Sequence, residues 1–516
     1  MNKYFEKLVP KEKSKIQWNI KQTNTVSRVP PCLFKMKEIE QPETVERKEQ
    51  NEENVLLAKI KNSRKLTSTD ALKQVIHMEL ETPNSFDYKP GFNFSVKCPN
   101  EKSDLEKICQ ILSVNPKKKI ILEPIEEHKS KKFFYFSYFD TFYFFYFFIF
   151  LFFIFFLSDL IPSHLKFATQ RVTTLEYIFT WCVNIRSVPQ KGLLRVLAEY
   201  AKDDKQKKEL REVVSIKKKK EYEEFISTSP SLLELLQKYD ACIPTVEHLL
   251  SVLPKNPPRN YSLASSPLCD ESLHFAFSCF RLELDNTNFF PKKIFKGLCT
   301  SWLEEKDESE KLNKDANLCH PFILDQFIGD DVVPIIQNKN NYFTLPESVL
   351  SGEKDLPHNL VFVASGTGVS PFRGFLRHLN SLKKQNPQFI LPKIALVFGC
   401  RDRNKDYLYR DEFEKYLEDG VLSHIFNSFS RENNFLGDQK RYVDKVIMEN
   451  TKFFNDFVDN DHSFVFVCGE ANGMVKSVTK AFEYVFQQEQ NLEPIEAEKK
   501  VSLMKENKKF VLDIWA

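Results

Sequence analysis

Residues 360–372 have the sequence LVFVASGTGVSPF, and this stretch decides the fold of the C-terminal part of the chain. An apolar run that ends in Gly366, Thr367 and Gly368 and continues with Pro371 predicts a buried strand, a tight turn and the first turn of a helix. Glycine lets a backbone approach a pyrophosphate closely, and the N-terminus of a helix favours negative charge. The stretch is a candidate dinucleotide-binding turn, although packing alone can also require such a turn.

The pattern of a buried strand followed by an amphipathic helix repeats after this stretch. We predict strands at 360–365, 394–400, 424–430 and 463–469, and helices at 371–382, 410–419 and 473–486. Short connections between such elements are typical of a doubly wound parallel sheet. The carboxyl ends of the four strands are followed by Gly366, Gly399-Cys400, Ser430-Arg431 and Cys468-Gly469. Because ligands bind at that edge of open α/β sheets, we predict a dinucleotide site there.

Three residues after the third strand discriminate between nucleotides. Arg431, Lys440 and Tyr442 provide two cations and a hydroxyl donor. Such groups suit the 2′-phosphate of NADPH, whereas an NAD site has an acidic residue in the corresponding place. The pattern favours NADPH, and an ordinary basic surface loop is the alternative.

The composition of the whole chain restricts the class of protein. Its 516 residues are 42% hydrophobic and 28% charged, as expected for a soluble protein of several domains. The formal net charge of +3 does not indicate a nucleic-acid partner. The 11 cysteines include no C-x-x-C pair, and no histidine lies at metal-ligand spacing. No metal site is therefore predicted, and reduced thiols in the cytoplasm are expected.

The composition changes several times upstream. Residues 1–54 are polar and predict a linker or tail, 55–110 have short strand patterns, and 172–250 have helical apolar spacing. The run from Phe133 to Leu157 is almost entirely Phe and Tyr and is long enough to span a bilayer. An inserted segment, disordered or translated from non-coding sequence, is favoured because Asp140 interrupts the run and both flanks resemble parts of one soluble domain. Membrane contact and a buried segment are the alternatives.

Six segments resemble the diflavin reductases. They are 259-RNYSLASSP-267, 297-GLCTSWL-303, 396-LVFGCRDRNKDYLYRDEFEKYLEDGVL-422, 428-SFSRE-432, 464-FVFVCGEANGM-474 and 513-DIWA-516. The resemblance implies the α/β plus β-barrel class with a ferredoxin–NADP reductase-like fold. An FAD-binding antiparallel barrel with an inserted helical connecting domain is then followed by a doubly wound parallel NADP-binding domain. The implied division is a polar tail (1–54), the first part of the barrel (55–130), the Phe-rich insertion (131–160), the connecting domain (161–250), the second part of the barrel (251–350) and the NADPH-binding domain (351–516).

The resemblance implies FAD as the first cofactor. Its expected ligands are Arg259, Asn260, Tyr261, Ser262, Gly297, Leu298, Cys299, Thr300 and Trp515. Tyr261 would pack on the flavin ring, Arg259 would contact the pyrophosphate, and the loop from Gly297 would cradle the phosphates through backbone amides. Trp515 would cover the isoalloxazine face until the nicotinamide displaces it, and a simple core position is the alternative for this residue.

The resemblance implies NADPH as the second cofactor. Its expected ligands are Arg64, Gly366, Thr367, Gly368, Ser430, Arg431, Lys440, Tyr442 and Asp444, the last at a position where the family commonly has glutamine. Ser262, Cys468, Asp513 and Trp515 are the candidate catalytic residues, the first three clustered about the nicotinamide and flavin N5. A buried cysteine is more often a small core residue, so the assignment of Cys468 depends on the motif around it.

The expected partner is an FMN domain or another protein electron acceptor. Family members begin with an FMN domain, and the 54 polar residues that precede the barrel are too few for one, so the chain is not expected to bind FMN in the family's way. Within the family, 88-YKPGFNFSVKCPN-100 and 174-TLEYIFTWCVNIRSVPQKGLLRVLAEYA-201 are most similar to the members that act in methionine biosynthesis. The alternatives are another diflavin reductase, of the cytochrome or sulfite reductase flavoprotein type, and an inactive truncated fragment.

Overall fold

The computed structural model describes residues 29–39, 55–81, 86–125, 161–309, 331–338, 341–352, 358–432, 440–470 and 473–515. The Phe-rich segment 133–157 lies outside these residues, as do most of the predicted tail and Ala516. Among the described residues, no helix is both long and apolar enough to cross a lipid bilayer.

The strands are, in chain order, β1 (Phe34–Glu38), β2 (Val55–Lys65), β3 (Val75–Glu81), β4 (Asn93–Val96), β5 (Lys119–Pro124), β6 (Thr173–Thr174), β7 (Arg259–Ser262), β8 (Ser272–Ser278), β9 (Arg281–Leu284), β10 (Lys293–Lys296), β11 (Val332–Gln337), β12 (Asn359–Ser365), β13 (Lys393–Cys400), β14 (His424–Phe429), β15 (Ser463–Glu470) and β16 (Phe510–Trp515).

The α-helices are α1 (Lys102–Ile111), α2 (Leu175–Tyr177), α3 (Lys191–Glu199), α4 (Asp204–Val214), α5 (Lys219–Ser227), α6 (Leu232–Lys238), α7 (Val246–Val252), α8 (Leu298–Ser309), α9 (Glu347–Ser351), α10 (Ser370–Gln385), α11 (Arg410–Glu418), α12 (Val443–Glu449), α13 (Thr451–Val458), α14 (Met474–Gln490) and α15 (Pro494–Glu506). Short 3-10 helices cover Ser163–Thr169 and Gly366–Val369, and a π-helical turn covers Ile178–Cys182.

Six antiparallel strands form the barrel of the predicted FAD-binding part, in the order β7-β4-β11-β2-β3-β8. A backbone bridge between Leu263 and Phe275 joins the two outer strands and closes the sheet on itself. Alternate side chains of each strand point inward, and Met78, Phe94 and Phe275 are completely buried there. Strands β9 and β10 form a separate hairpin beside the barrel.

Helices α1 to α7 pack with a small sheet, β1-β5-β6, around a second core. The structure changes the predicted domain division in two places. Phe34–Glu38, inside the predicted tail, pairs with β5, and Phe34 is buried. The prediction of a tail with little core of its own is wrong for these residues. Two apolar residues that alternate with lysines are only a weak local signal for a strand. Leu105 and Leu122, assigned to the barrel, also pack in this helical core.

The C-terminal domain contains a parallel sheet in the order β14-β13-β12-β15-β16, which confirms the predicted doubly wound fold. Helices α10 and α11 cover one face, and α12 to α15 cover the other. Phe362 and Val363 of β12 point into these two cores, as successive residues of a strand must. The strand β16 was not predicted from the sequence pattern.

Candidate functional site

Strands β7 and β16 bring a hydroxyl and a carboxylate together where the barrel meets the parallel sheet. Ser262 ends β7, and its Oγ donates to Oδ2 of Asp513 on β16 across 2.6 Å. Asp513 is in register with Cys468 of β15, whose Sγ donates to the same oxygen across 3.5 Å. Three of the four predicted catalytic residues therefore form one hydrogen-bonded group, although Ser262 and Asp513 are 251 positions apart.

Burial controls the protonation of this group. Cys468 is completely buried, and burial together with the charge of Asp513 raises the pKa of its thiol well above the usual value. The thiol is therefore neutral at physiological pH and available as a donor. Burial also raises the pKa of Asp513, and the hydrogen bonds from Ser262 and Cys468 partly oppose this because they stabilise the carboxylate.

The turn between β12 and α10 fits a diphosphate. Gly366 has a φ of +55°, a backbone conformation that favours glycine, and a Cβ placed there would meet no atom within 4 Å. The space above the turn is therefore open. Thr367 and Gly368 continue into the 3-10 turn, and α10 begins directly after it. The first N–H groups of a helix have no acceptors within the helix, so they suit phosphate oxygens.

Gly297 and α8 form the loop predicted for the FAD phosphates, and these residues also fit such a ligand. A Cβ at Gly297 would lie 2.6 Å from Oγ1 of Thr300, so the position has no room for a side chain. Helix α8 starts at Leu298, which leaves the N–H groups of its first turn for phosphate. The Cys299 side chain is buried and accepts a hydrogen bond from the Tyr261 hydroxyl at 3.3 Å, so this residue offers the loop only its backbone.

Strand β7 positions the remaining FAD candidates. Arg259 donates to the side-chain oxygen of Asn256 at 2.6 Å, and Asn260 accepts from the hydroxyl of Ser95 at 2.6 Å. Because successive residues of a strand point to opposite faces, Arg259 and Tyr261 share one face of β7 and Asn260 lies on the other. Burial raises the pKa of Tyr261 well above its usual value, so its hydroxyl stays a donor.

The predicted 2′-phosphate residues lie on two short segments at the end of β14. The N–H groups of Ser430 and Arg431 donate to backbone oxygens at the end of β13, at 3.0 and 2.9 Å. The Ser428 hydroxyl donates to the backbone oxygen of Arg441 at 2.6 Å, which holds the second segment beside the first. Arg431, Lys440 and Tyr442 are exposed, and Asp444 is half-buried in the first turn of α12. Residues 433–439 lie outside the described residues.

Two further basic residues lie at this edge and were not among the predicted ligands. Burial lowers the pKa of Lys73, Arg401 lowers it further by repulsion, and Glu470 opposes both. Arg401 directly follows β13, so its place at the ligand edge could have been recognised, whereas Lys73 lies in the β2–β3 loop without any local signal. Arg64, a predicted ligand on β2, donates to Glu412 of α11 at 3.2 Å.

A cluster of buried polar side chains joins the barrel to the sheet domain beside the site. His77 and His274 have Nε2 atoms 3.4 and 3.8 Å from the carboxylate of Glu79. Nδ1 of His77 lies 2.8 Å from the hydroxyl of Tyr409, and Nη1 of Arg373 lies 3.2 Å from Nδ1 of His274. Burial lowers the pKa of His77 to about 2 and that of His274 to about 4, so both rings are neutral.

The same three side chains, His77, Glu79 and His274, are close enough to ligate a metal ion, with potential ligand atoms within 4.8 Å of one another. Arg373, however, can only donate, so Nδ1 of His274 must be the acceptor in their contact. The proton of the neutral His274 ring is then on Nε2, the atom that would have to bind the ion. Tyr409 and Arg373 thus contact one nitrogen of each histidine from the sheet domain, whereas Nε2 of His77 has no hydrogen-bond partner among the described residues.

Trp515 ends β16, and its backbone is in register with Glu470 of β15. Its side chain lies outside the described part of the chain. The fourth predicted catalytic residue is thus placed by its backbone only.

Comparison with known families agrees with the fold. Residues 48–302 match the model of an FAD binding domain, and residues 362–480 match that of an oxidoreductase NAD-binding domain. The chain therefore contains the FAD- and NADP-binding domains of an NADPH-dependent oxidoreductase, and it is similar to the diflavin reductase family.

Within this family the chain resembles methionine synthase reductase. The protein of Rattus norvegicus is 31% identical over 468 residues, which cover 87% of this chain and 59% of the relative. That of Homo sapiens is 31% identical over 461 residues, 87% of this chain and 60% of the relative. The NADPH–cytochrome P450 reductase of Musca domestica is 26% identical over 348 residues, 67% of this chain and 46% of that protein. The chain spans about 60% of the length of the methionine synthase reductases.

Proposed function

We propose that this chain transfers a hydride from NADPH to FAD and passes the electrons to a protein acceptor. The observation that carries the proposal is the 2.6 Å hydrogen bond between Ser262 and Asp513, because it joins the flavin-binding barrel to the nucleotide-binding sheet at one point. FAD, when bound, can accept two electrons with the hydride and release them one at a time.

The chain's own residues orient the donor and stabilise charge. The ionised Asp513 would stabilise the positive charge that develops on a nicotinamide ring as a hydride leaves it. Ser262 and Cys468 donate to this carboxylate and hold it in one orientation. Cys468 acts as a neutral donor and as packing that excludes water, since burial keeps its thiol protonated.

For FAD binding, we propose that the loop from Gly297 through Leu298 and Cys299 to Thr300 holds the phosphates through backbone amides. Arg259 has donors left for the pyrophosphate. A guanidinium carries five N–H groups, and its acceptors among the described residues, Asn256 and the backbone oxygen of Pro257, both bind Nη1. Tyr261 is fixed by its bond to Cys299 and would pack against the flavin ring, and Asn260 would support the strand from its other face.

For NADPH binding, Gly366, Thr367 and Gly368 would hold the diphosphate, and Arg64 would reach it from the barrel. The 2′-phosphate would bind Ser430, Arg431, Lys440 and Tyr442, which lie on the two segments that the Ser428–Arg441 hydrogen bond holds together at the end of β14. Lys73 and Arg401 add positive charge to the same edge. Asp444 would weaken the affinity, because a carboxylate beside a phosphate is repulsive.

The proposed acceptor is methionine synthase, reached through an FMN domain. The support is the 31% identity with the methionine synthase reductases, compared with 26% for the cytochrome P450 reductase. A cytochrome or sulfite reductase flavoprotein role is the second candidate within the family. The proposed compartment is the cytoplasm, a location in keeping with free thiols such as those of Cys98, Cys242 and Cys400.

The test is anaerobic reduction of the purified chain, with and without residues 133–157. The chain should carry FAD, lose the absorbance of oxidised flavin on addition of NADPH, and reduce ferricyanide. Methionine synthase reactivation should then be measured with a separately expressed FMN domain added. A chain that folds but takes up no FAD would contradict the proposal and favour an inactive fragment. Cytochrome P450 reduction in preference to methionine synthase reactivation would favour the second candidate.

A further inference from the structure

The arginine at position 373 connects the two nucleotide-binding domains from a buried place in the first turns of α10. Its Nε and Nη2 donate to both carboxylate oxygens of Glu412 on α11, at 2.7 and 3.1 Å. Its Nη1 crosses to the barrel, where it donates to the backbone oxygen of Ala264 at 2.8 Å and lies 3.2 Å from Nδ1 of His274. Only 4% of Arg373 is exposed, so these contacts are protected from water.

The barrel segment that Arg373 contacts is continuous with the proposed hydride-transfer site. Ala264 is two residues after Ser262, and its N–H donates to the backbone oxygen of His274 at 2.7 Å. Leu263, between them, forms the bridge that closes the barrel. A shift of Ala264 would therefore move Ser262, because the backbone between them is short and held in the sheet.

The residue after Arg373 lets α10 approach this segment. A Cβ at Gly374 would lie 2.9 Å from the backbone oxygen of Ser265 and 3.3 Å from that of Leu263. The first distance is shorter than real Cβ contacts, and both neighbours are backbone atoms that cannot rotate away. Any side chain at this position would push the helix and the segment 263–265 apart.

We propose that Arg373 and Gly374 are positioning residues for hydride transfer. They set the distance between Ser262 on the barrel and Asp513 on the parallel sheet, and so the approach of the nicotinamide to the flavin. This inference rests on the proposed function. Neither residue needs to touch a cofactor, because each acts through the segment that carries Ser262.

The test follows flavin reduction by stopped flow under anaerobic conditions over a range of NADPH concentrations. In Arg373→Met, the limiting rate should fall roughly tenfold to hundredfold, since a 1 Å misplacement of reacting groups costs about 10²-fold. The NADPH concentration for half-maximal rate and the amount of bound FAD should stay as in the unmodified chain. Arg373→Lys should lie between the two, because an ammonium cannot span Glu412 and Ala264 as a guanidinium does.

Two matched variants separate positioning from general effects. Arg410→Met removes an exposed arginine whose partner is Glu414 on the same helix. Asp70→Asn removes another ion pair between the same two domains, in which Asp70 lies 2.7 Å from Nζ of Lys405. Both residues are far from Ser262 in the sequence. Both should keep the limiting rate. The slowed step in Arg373→Met should also carry a primary isotope effect with NADPH deuterated at the transferred position.

Several outcomes would overturn the inference. An unchanged limiting rate in Arg373→Met would do so. So would a defect limited to a lower FAD content, a smaller signal amplitude or a weaker affinity for NADPH. If Arg373→Met does not fold, Gly374→Ala decides: a slower limiting rate with FAD retained supports positioning, and an unchanged rate refutes it. If NADPH does not reduce the flavin of the unmodified chain, the proposed function itself is wrong, and the positioning role falls with it.

Discussion

Replacing Asp513 by asparagine should slow the reduction of bound flavin by NADPH while leaving the fold and the FAD content intact. Asparagine has the same shape but no charge, so it loses the charge-assisted bond from Ser262 at 2.6 Å and the weaker one from Cys468 at 3.5 Å. A hydrogen bond to a charged group contributes about 1.5–3 kcal/mol, and 1.36 kcal/mol is a factor of ten in rate. The limiting rate should therefore fall by about 10- to 150-fold.

The assay is anaerobic stopped flow at saturating NADPH, and Asp461→Asn is the matched control. Asp461 is almost fully exposed and pairs with Lys509 at the opposite end of the same sheet, so its loss should not change the rate. Ser262→Ala should slow the reaction as well. The double variant should be hardly slower than Asp513→Asn, because both changes remove the same hydrogen bond.

The reasoning fails if Asp513→Asn keeps the rate of the unmodified chain with FAD bound. It also fails if the effects of Ser262→Ala and Asp513→Asn multiply, because independent effects would mean that the two side chains do not act as a pair.

The pH dependence gives a second check on Asp513. The net effect of its surroundings is a raised pKa, with burial as the main cause. Since only the ionised carboxylate can stabilise the cation, the limiting rate should fall on acidification, and at a higher pH than an ordinary aspartate would give. This acid limb should be absent from the Asp513→Asn variant. The same limb in both proteins would assign it to another group.

Three further changes test other parts of the site and fold. The substitution Arg431→Gln should lower the preference for NADPH over NADH by roughly tenfold or more, since one charge-assisted contact to the 2′-phosphate is lost. The preference is measured as the ratio of the kcat/KM values for the two nucleotides. Equal use of both nucleotides by the unmodified chain would contradict the assignment. Removing Trp515 and Ala516 should raise the turnover with NADH while FAD stays bound, because the nicotinamide no longer competes with an indole; loss of FAD with an unchanged nucleotide preference would make Trp515 a core residue. The pKa values of His77 and His274 are lowered by burial to about 2 and about 4, from 6.5. The unfolded chain therefore binds more protons below pH 6.5. The free energy of unfolding should decrease as the pH is lowered from 6.5, by up to about 1.4 kcal/mol per pH unit for each histidine. Urea unfolding at pH 7 and pH 5 measures this, and a His77→Gln variant with the same pH slope would refute the contribution of His77.

The parallel sheet could be predicted because its signals are local. Strands β12, β13 and β15 are short apolar runs, and the helices α10, α11 and α14 that follow them have matching apolar spacing. The fifth strand, β16, lacks such a signal. It follows a Lys- and Glu-rich helix without a glycine or proline to mark the turn, and its parallel pairing with β15 arises only in the folded domain. Asp513 was nevertheless identified, through the C-terminal motif of the family.

The N-terminal strand β1 shows how composition can hide an element. Its five residues, FKMKE, have only two apolar side chains at strand spacing, and they lie in a segment, 1–54, that is polar as a whole. Only the pairing with β5 and the burial of Phe34 against the connecting helices reveal the strand. These contacts are between distant parts of the chain, and a local pattern cannot report them.

The contacts between the domains have no local sequence signal either, and the grouping of Ser262 with Cys468 and Asp513 was expected only from the resemblance to the family. Ser262 belongs to the barrel, whereas Cys468 and Asp513 belong to the parallel sheet, so neither domain alone contains the hydrogen-bonded group. Each domain has its own proposed phosphate loop and could hold its own nucleotide. Binding of both nucleotides is not sufficient for hydride transfer, because the donor and acceptor atoms must also come within about 3–3.5 Å of each other. The buried contact of Arg373 with Ala264 meets this need at the point where the chain leaves Ser262, which is why a residue outside both predicted binding loops should control the rate.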